Sequence, residues 1–171
     1  MHRLALSIAI VIANLTGARA VAQEEKKKER TFPPGYADLL AKADQIELLS
    51  LDPRSPKDDE EGLYGYVVLG RTTLKDDDRK TAVEAVRRTY REGDPKVYFF
   101  CYEPRHCLRA KRGDRTVDFM ICFACYRMRV HEAGREVKSY AIGGESKDTQ
   151  APLDEILKAA KVPLPANDNA K

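Results

Sequence analysis

The residues best suited to chemistry in this chain lie close together in its second half. They comprise every cysteine and two of the three histidines: Cys101, His106, Cys107, Cys122, Cys125 and His131. Thiolate and imidazole groups bind transition metals, and thiols form disulfides or act as nucleophiles. We therefore expect any chemistry of this protein in this region.

One hypothesis for this cluster is a metal site. Cys101, His106, Cys122 and Cys125 have the spacing C-x4-H-x15-C-x2-C, and Cys107 can take the place of His106. Three sulfurs and one nitrogen suit zinc or copper ions. The spacing is looser than that of zinc ribbons, which carry a tight pair of ligands on each side. The pattern is compatible with a metal site without requiring one.

The positions of Cys122 and Cys125 set a condition on any such site. They are an odd number of residues apart, so a straight strand would point them to opposite faces. A bulge or turn at Phe123 and Ala124 must bring the two sulfurs together.

Disulfides are the second hypothesis, and an exported chain favours them. Four cysteines allow three pairings, among which the sequence does not choose, and Cys107 is available as a partner. A bond between cysteines about 20 residues apart would stabilise the fold by roughly 3 kcal/mol in the loop-entropy description.

A thioredoxin-like site is disfavoured, because its CxxC motif lies at a helix N-terminus. Here the flanking segments VDFMI and YRMRV are typical of strands. Nucleophilic catalysis would need a cysteine paired with a base such as His106 or His131, and the sequence offers little support for it. His131 lies beside a predicted hairpin turn, so we expect it to be exposed.

The N-terminus has the pattern of a secretory signal peptide, in which a basic start precedes a short apolar run. The apolar run covers residues 4–15, and alanines at alternate positions from Ala18 to Ala22 have the spacing of a cleavage site. A bilayer-spanning helix needs about 20 apolar residues, and this run is shorter. We expect a mature chain that begins at Gln23, has no transmembrane segment, and is periplasmic or extracellular.

The charge balance argues against nucleic acid as the partner. Cleavage before Gln23 would remove two of the 30 basic residues, Arg3 and Arg19, and none of the 27 acidic residues, which leaves a net charge close to +1. Proteins that bind nucleic acid carry a pronounced positive field.

Composition divides the rest of the chain into three parts. Residues 23–32 carry charges of both signs, so we predict a flexible leader. Residues 33–162 are long enough for a single domain with a modest core. Residues 163–171 contain prolines and small polar residues, and we predict a loose tail.

The periodicity of apolar residues predicts an α+β domain. Helical spacing covers residues 36–43, 77–92 and 149–160, with Thr149 as a cap for the last helix. Turns at Gly113 and Gly134 separate short strands. The predicted strands cover residues 46–51, 64–74, 97–102, 108–111, 116–123, 126–131 and 137–142. Because strands and helices are segregated, we expect a mostly antiparallel sheet with the second and third helices packed on one face.

The middle of the chain is locally basic. Residues 96–138 contain ten Lys or Arg against five Asp or Glu. Arg127 and Arg129 share one face of their predicted strand. This face can meet an anionic surface or polymer, although a solvated strand face is the more ordinary interpretation. Arg105, beside His106 in a proline-led turn, is a further candidate for anion binding.

Two segments resemble paired motifs of a group of small secreted bacterial proteins of unassigned function. In that group a Cys-x-x-Pro-Arg-His turn precedes an Ile-Cys-Phe-x-Cys strand, as CYEPRHCLRA and TVDFMICFAC do here. The resemblance covers residues 64–130 and implies no activity. Its recurring set corresponds to Cys101, His106, Cys122 and Cys125, which supports the metal hypothesis and makes Cys107 a local addition.

Two functions follow as hypotheses. The first is a non-catalytic, exported binding or structural module stabilised by disulfides. The second is a zinc- or copper-binding domain that uses the cysteine and histidine cluster. No residue is assigned a catalytic role.

Overall fold

The structure is a computed structural model that describes residues 30–97 and 99–165. The predicted signal peptide, most of the predicted leader and residues 166–171 of the tail lie outside the described residues. In chain order the elements are α1 (Pro34–Lys42), β1 (Gln45–Asp52), β2 (Gly62–Leu63), β3 (Tyr66–Thr73), α2 (Asp76–Glu92), β4 (His106–Arg112), β5 (Arg115–Cys122), β6 (Arg127–Glu132), β7 (Arg135–Ala141) and α3 (Gln150–Ala159).

The strands form one antiparallel sheet of seven strands in the order β2-β3-β1-β4-β5-β6-β7. Neighbours in sequence are joined by tight hairpins from β4 to β7, where Gly113 and Gly134 adopt positive φ angles of 54° and 76°. Glycine adopts this conformation without strain, which is why it occurs at such turns. The predicted α+β class with a mostly antiparallel sheet is confirmed.

The two faces of the sheet bury different sets of side chains. Register pairs such as Leu48 with Leu108 and Leu108 with Phe119 place alternate residues on one face, here called the first face. These residues belong to a large core cluster that also contains side chains of α1, α2 and α3. The intervening residues form the second face, where a smaller cluster contains Leu49, Cys107 and other apolar side chains.

The helix α2 forms for the reasons that its sequence indicated. Its buried residues recur at helical spacing, and three aspartates occupy the first turn, where they complement the helix dipole. The helix ends where the N–H of Gly93 donates to the carbonyl of Tyr90 at 3.3 Å. The core draws on α1 as well as on α2 and α3, so a two-helix layer does not describe it fully.

Several local predictions were wrong. The described residues of the segment 97–102 form no strand, and Thr149 makes no side-chain bond to the start of α3. Its hydroxyl donates instead to the carbonyl of Gly144 at 2.9 Å.

The packed part of the chain extends beyond the predicted domain at both ends. Phe32 is buried and packs edge-on against Tyr90, with ring centroids 5.3 Å apart. Arg30 donates to the carbonyl of Ala141 at 2.7 Å. Leu164, in the predicted tail, packs against the core. The leader and the tail therefore each contribute residues to the folded unit.

None of the helices within residues 30–97 and 99–165 combines the length and the apolar character needed to cross a membrane.

Candidate functional site: a cysteine loop on a disulfide turn

The turn between β5 and β6 contains a disulfide between Cys122 and Cys125, whose Cα atoms are 5.2 Å apart. The chain reverses here because Tyr126 adopts a positive φ of 53° and its N–H donates to the carbonyl of Phe123 at 3.1 Å. The predicted turn at Phe123 and Ala124 is confirmed. We call residues 122–126 the disulfide turn.

This disulfide closes a much shorter loop than one between cysteines about 20 residues apart. In the loop-entropy description this disulfide stabilises the fold by about 2 kcal/mol, whereas the longer loop would give about 3 kcal/mol. Its main effect is local, because it fixes the shape of the disulfide turn.

The segment between α2 and β4, of which residues 93–97 and 99–105 are described, lies against the disulfide turn and is called the cysteine loop. The N–H of Glu103 donates to Sγ of Cys125 at 3.3 Å. The hydroxyl of Tyr102 donates to the carbonyl of Met120 at 2.8 Å, and Arg127 donates to the carbonyl of Phe99 at 2.8 Å. These contacts fix an irregular segment at three points.

The remaining two cysteines are free and differ in environment. Cys101 is exposed on the cysteine loop, whereas Cys107 is buried on the second face of the sheet. Burial raises the pKa of the Cys107 thiol well above its ordinary value. The predicted disulfide partner Cys107 is therefore not used as one.

The four predicted metal ligands are not brought together. Cys122 and Cys125 are consumed by the disulfide, and His106 lies on the first face, where its register partner is Ile121. The neighbouring Cys122 points to the opposite face. Among the described residues, no group of three or more His, Cys, Asp or Glu side chains is placed to hold a metal ion. A zinc or copper site stays a prediction, and it requires Cys122 and Cys125 to be reduced.

His106 instead joins the sheet to α3. Its Nε2 lies 2.8 Å from Oδ1 of Asp154, and its side chain is 1% exposed. Burial is the largest influence on the pKa of Asp154 and raises it. The hydrogen bond and charge of His106, with the smaller effects of Gln150 and Lys158, together outweigh burial, and the net pKa is lowered.

The predicted anion-binding arginines are engaged with the protein itself. Arg127 and Arg129 do share the second face of the sheet, as their register partners Cys122 and Met120 show. The guanidinium of Arg129 lies 3.9 Å from the ring centroid of Tyr102, a cation–π contact. Arg105 has its own interactions within the protein. Arg127 and Arg129 brace the cysteine loop.

Exposed apolar side chains cluster on the cysteine loop and the disulfide turn. Phe100 is 93% exposed, and Phe99 stacks on Tyr126 with ring centroids 5.2 Å apart. Val97 is also exposed. We call Val97, Phe99, Phe100 and Tyr126 the aromatic patch. Beside it lies a cavity of about 440 Å³ lined by Tyr126, Gly144 and other residues.

The second face also carries a polar cluster that the sequence analysis did not predict. Arg109 donates to both carboxylate oxygens of Asp118, at 2.7 and 2.9 Å, and Tyr64 donates to the same group at 2.8 Å. The ring of Tyr64 stacks on His131 with centroids 4.0 Å apart. The sequence carries only a local signal here: Tyr64 and Gly65, which adopt positive φ angles, form the hairpin turn between β2 and β3. The residues that Tyr64 contacts, Asp118 and His131, are distant in sequence.

His131 is therefore buried, contrary to the expectation of exposure. Its side chain lies under Tyr64, its Nδ1 has no hydrogen-bond partner, and burial lowers its pKa. Burial and the hydrogen bond to Asp118 raise the pKa of Tyr64.

A larger groove of about 820 Å³ lies away from the cysteines, between the end of α1 and the start of α2. Arg79 crosses its floor and donates to the carbonyl of Ala43 at 2.8 Å.

No family model, curated protein or solved structure matches the chain. The geometry is accordingly the basis for any functional conclusion.

Proposed function

We propose that this protein is an exported, non-catalytic binding module that contacts a partner protein through the aromatic patch. The observation that carries the proposal is the position of Phe100, which is 93% exposed on a loop fixed by contacts from Glu103, Tyr102 and Arg127. A phenyl ring with most of its surface in water contributes little apolar burial to folding. Clustered exposed aromatic residues are typical of protein interfaces.

The anchoring of the loop supports this function energetically. Binding costs free energy whenever a flexible loop must be ordered, and a loop that is already fixed avoids part of that cost. Aromatic side chains at the centre of an interface commonly contribute most of the binding free energy. Phe100 has the size and exposure of such an anchor, and its neighbour Phe99 stacks on Tyr126.

The partner that fits this surface is an apolar segment of another protein. The alternative from the sequence is an anionic surface or polymer, bound by Arg105, Arg127 and Arg129. The contacts of Arg127 with the carbonyl of Phe99 and of Arg129 with Tyr102 favour a supporting role for these side chains.

We also infer that α2 and α3 cover the first face of the sheet, which would keep the helices away from the contact surface.

Export is supported by the pattern of residues 1–22 and by the preference of disulfides for oxidising compartments.

The experiment is site-specific photo-cross-linking in the cells that export the protein. A photoreactive amino acid replaces Phe100 in one variant and Val137 in the control, because Val137 is also an exposed apolar residue, 48% accessible on strand β7. We expect a discrete adduct from position 100 that is absent from position 137. The same adducts from both positions, or none from position 100, would contradict the proposal.

A further inference from the structure

The free thiol of Cys101 and the disulfide between Cys122 and Cys125 lie on two segments that contact each other, the cysteine loop and the disulfide turn. The disulfide itself is shielded, since Cys122 is 1% and Cys125 is 2% exposed. Cys101 is an exposed, free thiol two residues before Glu103. A buried disulfide beside a surface thiol can exchange with it if the chain lets them meet.

The distance between Cys101 and the disulfide is limited by the chain. The N–H of Glu103 donates to Sγ of Cys125 at 3.3 Å, so the backbone of the loop is in contact with that sulfur. With 3.8 Å between consecutive Cα atoms, the Cα of Cys101 lies within roughly 10 Å of Sγ of Cys125. Closing the gap requires residues 100–102 to move, which breaks the hydrogen bond from the Tyr102 hydroxyl to the carbonyl of Met120.

The sulfurs also have the donors that exchange requires. The N–H of Cys125 donates to Sγ of Cys122 at 3.1 Å. A backbone N–H stabilises a thiolate more than a disulfide sulfur, because the thiolate carries a negative charge. The N–H of Cys125 can therefore stabilise a thiolate at Cys122, as backbone amides at helix N-termini do in other thiol sites.

We infer that, beyond the proposed binding function, Cys101, Cys122 and Cys125 form a thiol–disulfide exchange site that reacts once per protein molecule. Cys101 carries the oxidising equivalent of the buried disulfide to the surface, where a dithiol substrate takes it up.

The first step is internal. The Cys101 thiolate attacks Sγ of Cys125, the bond between Cys125 and Cys122 breaks, and Cys122 leaves as a thiolate stabilised by the N–H of Cys125. The product is a bond between Cys101 and Cys125, and Cys122 then takes up a proton. No electrons enter or leave the protein in this step.

The second step transfers the oxidising equivalent to the substrate. One substrate thiolate attacks Sγ of Cys101 and releases the thiolate of Cys125, which gives a mixed disulfide. The second thiol of the same substrate displaces Cys101 and closes the substrate disulfide. The substrate loses two electrons and two protons, and Cys122 and Cys125 end as thiols.

Reduction kinetics of the folded, oxidised protein test this inference, with dithiothreitol as the dithiol. We expect Cys101→Ser to slow the reduction of the bond between Cys122 and Cys125 by roughly tenfold or more, because the dithiol must then reach shielded sulfurs directly. Cys107→Ala is the matched control and should react at the rate of the unmodified protein. Equal rates in Cys101→Ser and the unmodified protein would overturn the inference.

A trapping variant tests the geometry without relying on rates. In Cys122→Ser, oxidised glutathione should produce a bond between Cys101 and Cys125, detected by peptide mapping as a loss of two hydrogens. If the variant yields only glutathione adducts, or keeps both thiols, the two sulfurs do not meet and the inference fails.

Discussion

At the scale of single residues, the two described histidines illustrate two ways of burying an imidazole. His106 is 1% exposed, and its Nε2 is bonded to Asp154 of α3. His131 lies under the ring of Tyr64. In both rings Nδ1 is buried without a hydrogen-bond partner among the described residues. The first histidine contributes a bond between elements, whereas the second is more stable without its charge.

We predict that His106→Ala lowers the free energy of unfolding by about 2 to 4 kcal/mol, because it leaves a cavity and deprives the half-buried carboxylate of Asp154 of its partner. Urea unfolding measures the change. Lys80→Ala, which removes an exposed ion pair with Asp77 on helix α2, is the control and should have no measurable effect.

The stability of His106→Ala does not test whether the protein binds a metal. A lower stability of His106→Ala is expected with or without a metal, so only the metal content of the unmodified protein tests the zinc or copper hypothesis. An unchanged free energy of unfolding in His106→Ala would contradict the role assigned to the bond with Asp154.

We predict that His131 makes the stability depend on pH. Burial lowers its pKa below the ordinary 6.5, so the unfolded chain binds a proton more readily than the folded one. The free energy of unfolding should fall as the pH drops below 6.5, until the folded pKa is passed. An NMR titration of the His131 ring measures this pKa directly.

Tyr64→Ala uncovers His131 and should move its pKa back toward the ordinary value. Tyr66→Ala is the control, because Tyr66 packs on Tyr102 and not on the histidine. A His131 pKa at or above 6.5 in the unmodified protein would show that the stack with Tyr64 does not bury the ring.

At the scale of elements, the end of α2 packs against the end of β7 with no room for a side chain. A Cβ added at Gly93 would lie 2.6 Å from Cα of Ile142, which is backbone and cannot move aside. Gly93 has an ordinary φ of −60°, so the requirement for glycine is one of space.

We predict that Gly93→Ala destabilises the protein by about 2 kcal/mol or more, because the two elements must separate. Gly35→Ala is the matched control in α1, where an added Cβ meets nothing within 4 Å. That variant should gain about 0.5 to 1 kcal/mol, since alanine restricts the unfolded chain. Thermal unfolding of both variants gives the comparison, and equal effects would contradict the packing.

Most elements could be predicted because their signals are local. The apolar face of α2 and the strands β4 to β7 with their turns at Gly113 and Gly134 follow from short-range periodicity. The segment 97–102 has the composition of a strand, but its described residues pair with none of the seven strands of the sheet. Strand pairing depends on the whole sheet, which local composition does not reveal.

The candidate site could be predicted only in part, because some of its features have local signals and others depend on strand pairing. The disulfide turn follows from the spacing and parity of Cys122 and Cys125. The contact between Tyr64 and His131 joins residues far apart in sequence, and only the register of the sheet brings them together.

At the scale of the whole molecule, the sheet separates the core side chains that stabilise the fold from the proposed contact surface. The large core lies on the first face with side chains of the three described helices. The cysteine loop lies at the disulfide turn, braced by Arg127 and Arg129 from the second face. Changes to the aromatic patch should therefore alter binding without unfolding the protein.

The measurement that tests the binding proposal most directly is the affinity of the mature protein for apolar peptides selected from a random library. We predict that Phe100→Ser weakens binding by roughly tenfold or more, as expected for a central aromatic anchor. Val137→Ser should bind like the unmodified protein, with all three proteins equally stable. Unchanged binding by Phe100→Ser, or a library that yields no peptide, would contradict the account.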